Sequence, residues 1–91
     1  MSDIRHLPDE HRFEQTFDGG LVWAEYARRG DVLSILHVEA EPALRGSGAA
    51  GQFMQSLTEA ARAEGLKLRP ICGYAVAWLR RHRDAADVLA A

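Results

Sequence analysis

The stretch His37-Val38-Glu39-Ala40-Glu41-Pro42-Ala43-Leu44-Arg45-Gly46-Ser47-Gly48-Ala49-Ala50 decides how this chain is read. A β-rich run ends in it, a loop of small residues follows, and a helical pattern begins at once. The first amides of a helix have no partner within the helix, and the macrodipole makes that end positive. Such an end is a ready anion site, most often for phosphate. Gly46 and Gly48 let the backbone approach a ligand closely, and Arg45 adds a forked cation. The stretch lacks the Lys-Ser/Thr ending of a P-loop. It is read as Arg-x-x-Gly-x-Ala, over Arg45, Gly48 and Ala50, rather than as Gly-x-Gly-x-x-Gly. A Ser47 helix cap is the plainer account of the same residues.

Upstream, Arg12–Phe17 alternates, with Phe13, Gln15 and Phe17 on one side. Asp18-Gly19-Gly20 reads as a hairpin turn, Leu21–Arg28 as a second strand, Gly30-Asp31 as a turn and Val32–Ala40 as a third strand. Meander order implies antiparallel pairing. Alternation along the third strand puts His37 and Glu39 on the face of Leu33 and Ile35. Residues 1–11, polar and broken by Pro8, are expected to form a loose lead-in.

Downstream, Ala50, Phe53, Met54, Leu57, Ala60 and Ala61 recur at helical spacing, and Gly65 stops the helix. Leu66–Arg69 fits a short fourth strand, which the crossover places parallel to the third. Gly73–Arg83 reads as a second helix with Tyr74 and Trp78 one turn apart, and residues 84–91 as a short helical or frayed tail. The expected fold is α+β: an antiparallel three-strand meander, a long helix, a short parallel fourth strand and a terminal helix, all in one domain over residues 1–91.

The composition narrows the function. A 47% hydrophobic and 26% charged chain suits a globular domain. A net charge of -2 argues against a general nucleic-acid or anionic-membrane binder. One cysteine cannot form an internal disulfide, and neither an apolar leader nor a run of 18 apolar residues is present. The expectation is a cytoplasmic protein without nucleic-acid, membrane or metal binding.

The Arg45-x-x-Gly48-x-Ala50 loop, with His37 at the end of the preceding strand and Pro70-Ile71-Cys72-Gly73-Tyr74 after the next, resembles the GNAT acyltransferases and, within them, the very small YjdJ-type branch. The resemblance spans roughly residues 10 to 88. It implies a compact GNAT-like fold and a protein that takes acetyl-CoA as cosubstrate and passes acetyl to an unidentified amine. Partners are then coenzyme A and the acceptor, and the protein is a monomer or weak homodimer.

The same resemblance implies residue roles. Backbone amides of Gly46, Ser47, Gly48, Ala49 and Ala50 would hold the pyrophosphate beside Arg45. The strand backbone at Val38–Ala40, through Val38 and Ala40, would polarise the acetyl carbonyl. His37 or Glu39 would take the amine proton, and Tyr74 or Cys72 would protonate the departing thiolate. Each has a bland alternative: a structural His37, a solvated Glu39, a small buried Cys72, a core Tyr74. No activating His-Asp set is spaced around Cys72, which favours direct transfer over an acyl-cysteine. Arg80, Arg81, His82 and Arg83 fit a solvated helix end or a contact to the 3′-phosphate. The family commonly shows His-Thr-x-Val and Cys-Ser-Tyr; here His37-Val38-Glu39-Ala40 and Cys72-Gly73-Tyr74 each lack the hydroxyl. A non-catalytic acyl-CoA-binding or protein-interaction module is the alternative reading.

Overall fold

The computed structural model describes residues 3–90. Five strands, β1 (Arg5–Leu7), β2 (Arg12–Phe17), β3 (Gly20–Arg29), β4 (Val32–Ala40) and β5 (Lys67–Pro70), form one sheet in sequence order. Two helices, α1 (Ala49–Glu64) and α2 (Gly73–Arg81), complete it. All neighbours pair antiparallel except β4 and β5, which run parallel, as the crossover between them requires. The architecture is the expected α+β fold with one added edge strand. No helix among the described residues is long and apolar enough to cross a membrane.

Period-2 alternation along the strands lines one sheet face with Phe13, Val22, Ala24, Tyr26, Leu33, Ile35 and Leu68, all buried. Phe53, Met54, Leu57 and Ala61, spaced three and four apart on α1, close over that face. Ala75, Trp78 and Leu79 of α2 join the same core. Truncating Phe53 to alanine would cost about 3–5 kcal/mol, the usual toll for a fully buried aromatic. Both helices therefore lie on one face. The opposite face is open, with Trp23 beneath the Arg12 guanidinium at 4.9 Å and Glu14 bridging Arg5 and Arg12.

Two terminal expectations need correction. The lead-in is not loose: Arg5–Leu7 is a strand on the β2 edge, followed by a 3-10 turn over Pro8–Glu10. His6 is the reason. Its ring stacks on Phe13 with centroids 4.0 Å apart, Nε2 meets the Tyr26 hydroxyl at 2.6 Å, and Nδ1 meets Glu64 at 2.9 Å. At the other end, α2 stops at Arg81 rather than Arg83. His82 leaves the helical conformation, and its Nδ1–H donates back to the Trp78 carbonyl at 2.7 Å. The tail takes the helical of its two expected forms. A 3-10 turn over Arg83–Val88 buries Ala85 and Val88, Arg62 clasps Asp87 with two bonds, and the Ala90 N–H donates to the Leu68 carbonyl at 2.9 Å.

Candidate active site

The site begins with an irregularity in β4. Tyr26 pairs with Ile35 and Glu25 with His37, so Leu36 is an extra residue on β4. Such a bulge bends the strand and raises its local twist. It also changes which side chains face the core. Leu33 and Ile35 are buried, but beyond the bulge Val38 and Ala40 pack against the core, while His37 is exposed. His37 and Glu39 thus do not share the face of Leu33 and Ile35, because the alternation slips by one residue. They sit on the open face, with His37 Nε2 at 3.5 Å from Glu39 Oε2.

At the same level β5 leaves β4. Their pairing ends at Ile35 and Pro70, and the Ile35 carbonyl accepts the N–H groups of both Ile71 and Cys72, at 3.0 and 3.1 Å. Beyond that point the β4 edge has no strand partner among the described residues. The Glu41 N–H donates to the Leu21 carbonyl. Antiparallel alternation then turns the backbone groups of Glu39 and His37 toward β3 and those of Val38 and Ala40 toward the gap.

The loop after β4 leads from this edge to α1. A 3-10 turn over Pro42–Leu44 buries Leu44, and Gly46 and Gly48 then take left-handed φ of 80° and 85°. Ser47 braces the helix start: Oγ donates to the Leu44 carbonyl at 2.5 Å and accepts the Ala49 N–H at 3.2 Å. The Ser47 N–H also bonds to Leu44. Two of the five amides expected to meet an anion, Ser47 and Ala49, are therefore engaged within the chain. Those of Gly46, Gly48, Ala50 and also Gly51 have no acceptor among the described residues. Arg45 is exposed and, among the described residues, in no ion pair. On the flank of α1 nearest β2, a concavity of about 190 Å³ lies between Phe17, Asp18, Leu44, Ser47, Ala49 and Gln52.

The start of α2 forms the other wall. Cys72 is its N-cap, half-buried, with Sγ accepting the Ala75 N–H at 3.4 Å. Tyr74 is 42% exposed. Burial of its phenol pushes the pKa above the usual 10.0, against a weaker opposite pull from the Arg81 cation. The hydroxyl stays protonated at neutral pH, as an ordinary phenol does. It lies 3.9 Å from where a Cβ on Gly51 would stand, and Trp78 Nε1 lies 3.7 Å from the same point. The loop glycines, Cys72 and Tyr74 thus gather on the helix face, and His37 and Glu39 stand on the open face, with the β4–β5 gap between the two groups.

Neither Gly51 nor Trp78 was singled out in the sequence as a site residue. The signal was present. Gly46, Gly48 and Gly51 do carry the Gly-x-Gly-x-x-Gly spacing that was set aside, and a glycine inside a helix asks for a reason. Trp78 carries no such mark, because only the packing of α2 on α1 brings it to the loop.

A mixed sheet whose two parallel strands part before a glycine-lined helix start defines the compact GNAT-like fold. The chain belongs to the GCN5-related N-acetyl-transferase family, whose model matches residues 12–88. An NMR structure from Staphylococcus aureus, described as a "GCN5-like putative N-acetyltransferase", superposes with a TM-score of 0.72 at 23% identity, over 99% of this chain and 91% of that one. At that identity the likeness speaks for the fold. No curated protein matches the chain.

Proposed function

We propose that this protein is an acetyl-CoA-dependent N-acetyltransferase that passes acetyl directly to an amine. One observation carries the reading: β4 parts from β5 after Ile35 and Pro70, and the chain leaving β4 runs into a helix start whose Gly46, Gly48 and Ala50 amides have no acceptor among the described residues. The residues suit the cosubstrate. Gly46, Gly48 and Ala50 offer N–H donors to a pyrophosphate, and Arg45 adds a free guanidinium. Val38 and Ala40 offer edge N–H groups to a carbonyl. The bound thioester supplies an activated acyl group.

The chain's part is positioning and proton transfer. His37, with Glu39 at 3.5 Å, takes the amine proton on the open face. The Tyr74 O–H, at the start of α2, gives a proton to the departing sulfur. The acceptor then enters from the face opposite the helices, which suits direct attack without an acyl-cysteine. The single free cysteine fits a reducing cytoplasm.

Coenzyme A should raise the melting temperature. At about 100 times its dissociation constant the stabilisation is roughly 2.7 kcal/mol. The absence of both heat in a calorimetric titration and a thermal shift at millimolar coenzyme A would overturn the proposal. The half-exposed setting of His37 and Glu39 favours one second reading, a module that binds acyl-CoA without turnover. Tight binding with no amine acetylated selects it.

A further inference from the structure

We propose that the indole N–H of Trp78 is a hydrogen-bond donor to phosphate oxygens bound at the α1 start, and that Gly51 has no side chain so that this donor stays open. The inference rests on the reading that this end of α1 holds the pyrophosphate of coenzyme A.

Trp78 is only 7% exposed, but its Nε1 keeps access to solvent and has no acceptor among the described residues. One face of the ring is held by His82. It stacks on His82 with centroids 3.7 Å apart and planes 8° apart, and the His82 Nδ1–H is anchored on the Trp78 carbonyl. The free N–H is aimed at the first turn of α1, 3.7 Å from the Cβ position of Gly51.

A helical side chain leans back toward the N-terminus of its helix. The space left by the missing side chain of Gly51 therefore opens toward the N-terminal end of α1, where the amides of Gly48 and Ala50 lack acceptors among the described residues. The Tyr74 hydroxyl reaches the same point at 3.9 Å. An indole and a phenol thus stand within 4 Å of one point on the first turn of α1, and both can donate, as the free amides of that turn do. The matching ligand atom is one that only accepts, such as a phosphate oxygen.

The glycine has no steric cause within the fold. A Cβ at position 51 would meet Nε1 and the hydroxyl at ordinary contact distances, so alanine fits without displacing either. Alanine is also the better helix former. What alanine would do is cover the donors.

The test is a pair of variants and one spectrum. Gly51→Ala should keep or raise the melting temperature while affinity for coenzyme A falls about tenfold or more. Trp78→Phe, which keeps the stacked ring and removes only the N–H, should lose affinity likewise. In a 1H–15N spectrum of the parent, the Trp78 indole resonance should shift on adding coenzyme A and on adding inorganic pyrophosphate. The Trp23 resonance, on the open sheet face, should not. A parent that binds coenzyme A while the Trp78 resonance stays still and Gly51→Ala binds normally overturns the inference and leaves the acetyltransferase reading standing. A shift with coenzyme A but none with pyrophosphate overturns the phosphate assignment. No binding by the parent overturns both. Should Trp78→Phe fail to fold, Gly51→Ala and the spectrum still decide.

Discussion

The Cys72 N–H donates to the Ile35 carbonyl at 3.1 Å, tying the cap of α2 to the residue where β5 parts from β4. This bond makes Cys72 an architectural residue of the gap, with its sulfur turned to the Ala75 N–H. Cys72→Ala should keep measurable acetyl transfer, and Cys72→Ser should fold at least as stably, since serine is a preferred N-cap. Intact-mass spectrometry with acetyl-CoA checks it: an acetyl adduct on Cys72 that forms and decays at the turnover rate would show an acyl-enzyme instead.

His37→Ala should lower kcat on the order of 10²–10⁴-fold, the usual worth of a general base. Affinity for coenzyme A should change little, because His37 stands on the face away from the α1 start. Steady-state kinetics separate the two effects. A larger kcat loss in Glu39→Gln than in His37→Ala would move the base to Glu39.

Arg45→Ala should weaken coenzyme A binding by about 1.5–3 kcal/mol, the range for a hydrogen bond to a charged group. Gly48→Val should abolish it. The reason lies in the backbone, since a Cβ at 48 meets nothing within 4 Å but φ is +85°, a conformation that a β-branched residue avoids. Calorimetry on both variants is the check, and unchanged binding in both would place the phosphate site elsewhere.

His6→Ala should destabilise the fold by about 1–3 kcal/mol by stranding the buried Tyr26 hydroxyl. A carboxylate only accepts, so Nδ1–H faces Glu64 and Nε2 accepts from Tyr26 in the neutral ring. The clasp sits at the far end of α1, roughly 20 Å from the loop. Coenzyme A binding should therefore survive in thermal melts that show the lower stability. A variant that melts with the parent would show that the clasp contributes nothing.

Burial raises the phenols of Tyr26 and Tyr74 above 10.0. The unfolded chain releases those protons first, so stability should fall as pH rises past about 10. Tyr74→Phe should flatten that decline and reduce kcat. On the acid side Glu14, held low chiefly by its bond to Arg5, and Asp87, held low by Arg62, favour the fold above their usual values of 4.5 and 3.8. That contribution is lost as pH falls through the lower folded values. Denaturation followed across pH tests both limbs.

The strands β2 to β5, the two hairpin turns, the helix opening at Ala49 and the Arg45–Ala50 loop were legible in the sequence. Each rests on local chemistry: side-chain periodicity, turn glycines, and amides left over at a helix start. Other features needed the tertiary structure. The Arg5–Leu7 strand exists because His6 finds Phe13, Tyr26 and Glu64 from three other elements. The bulge at Leu36, which turns His37 and Glu39 to the open face, is a mismatch between two strands and leaves no mark on either alone. Trp78 and Gly51 are 27 residues apart in the sequence and meet only where α2 packs on α1. Residue type and spacing determine which elements form. Which donors face one another across them is decided by packing, because it depends on residues distant in the chain.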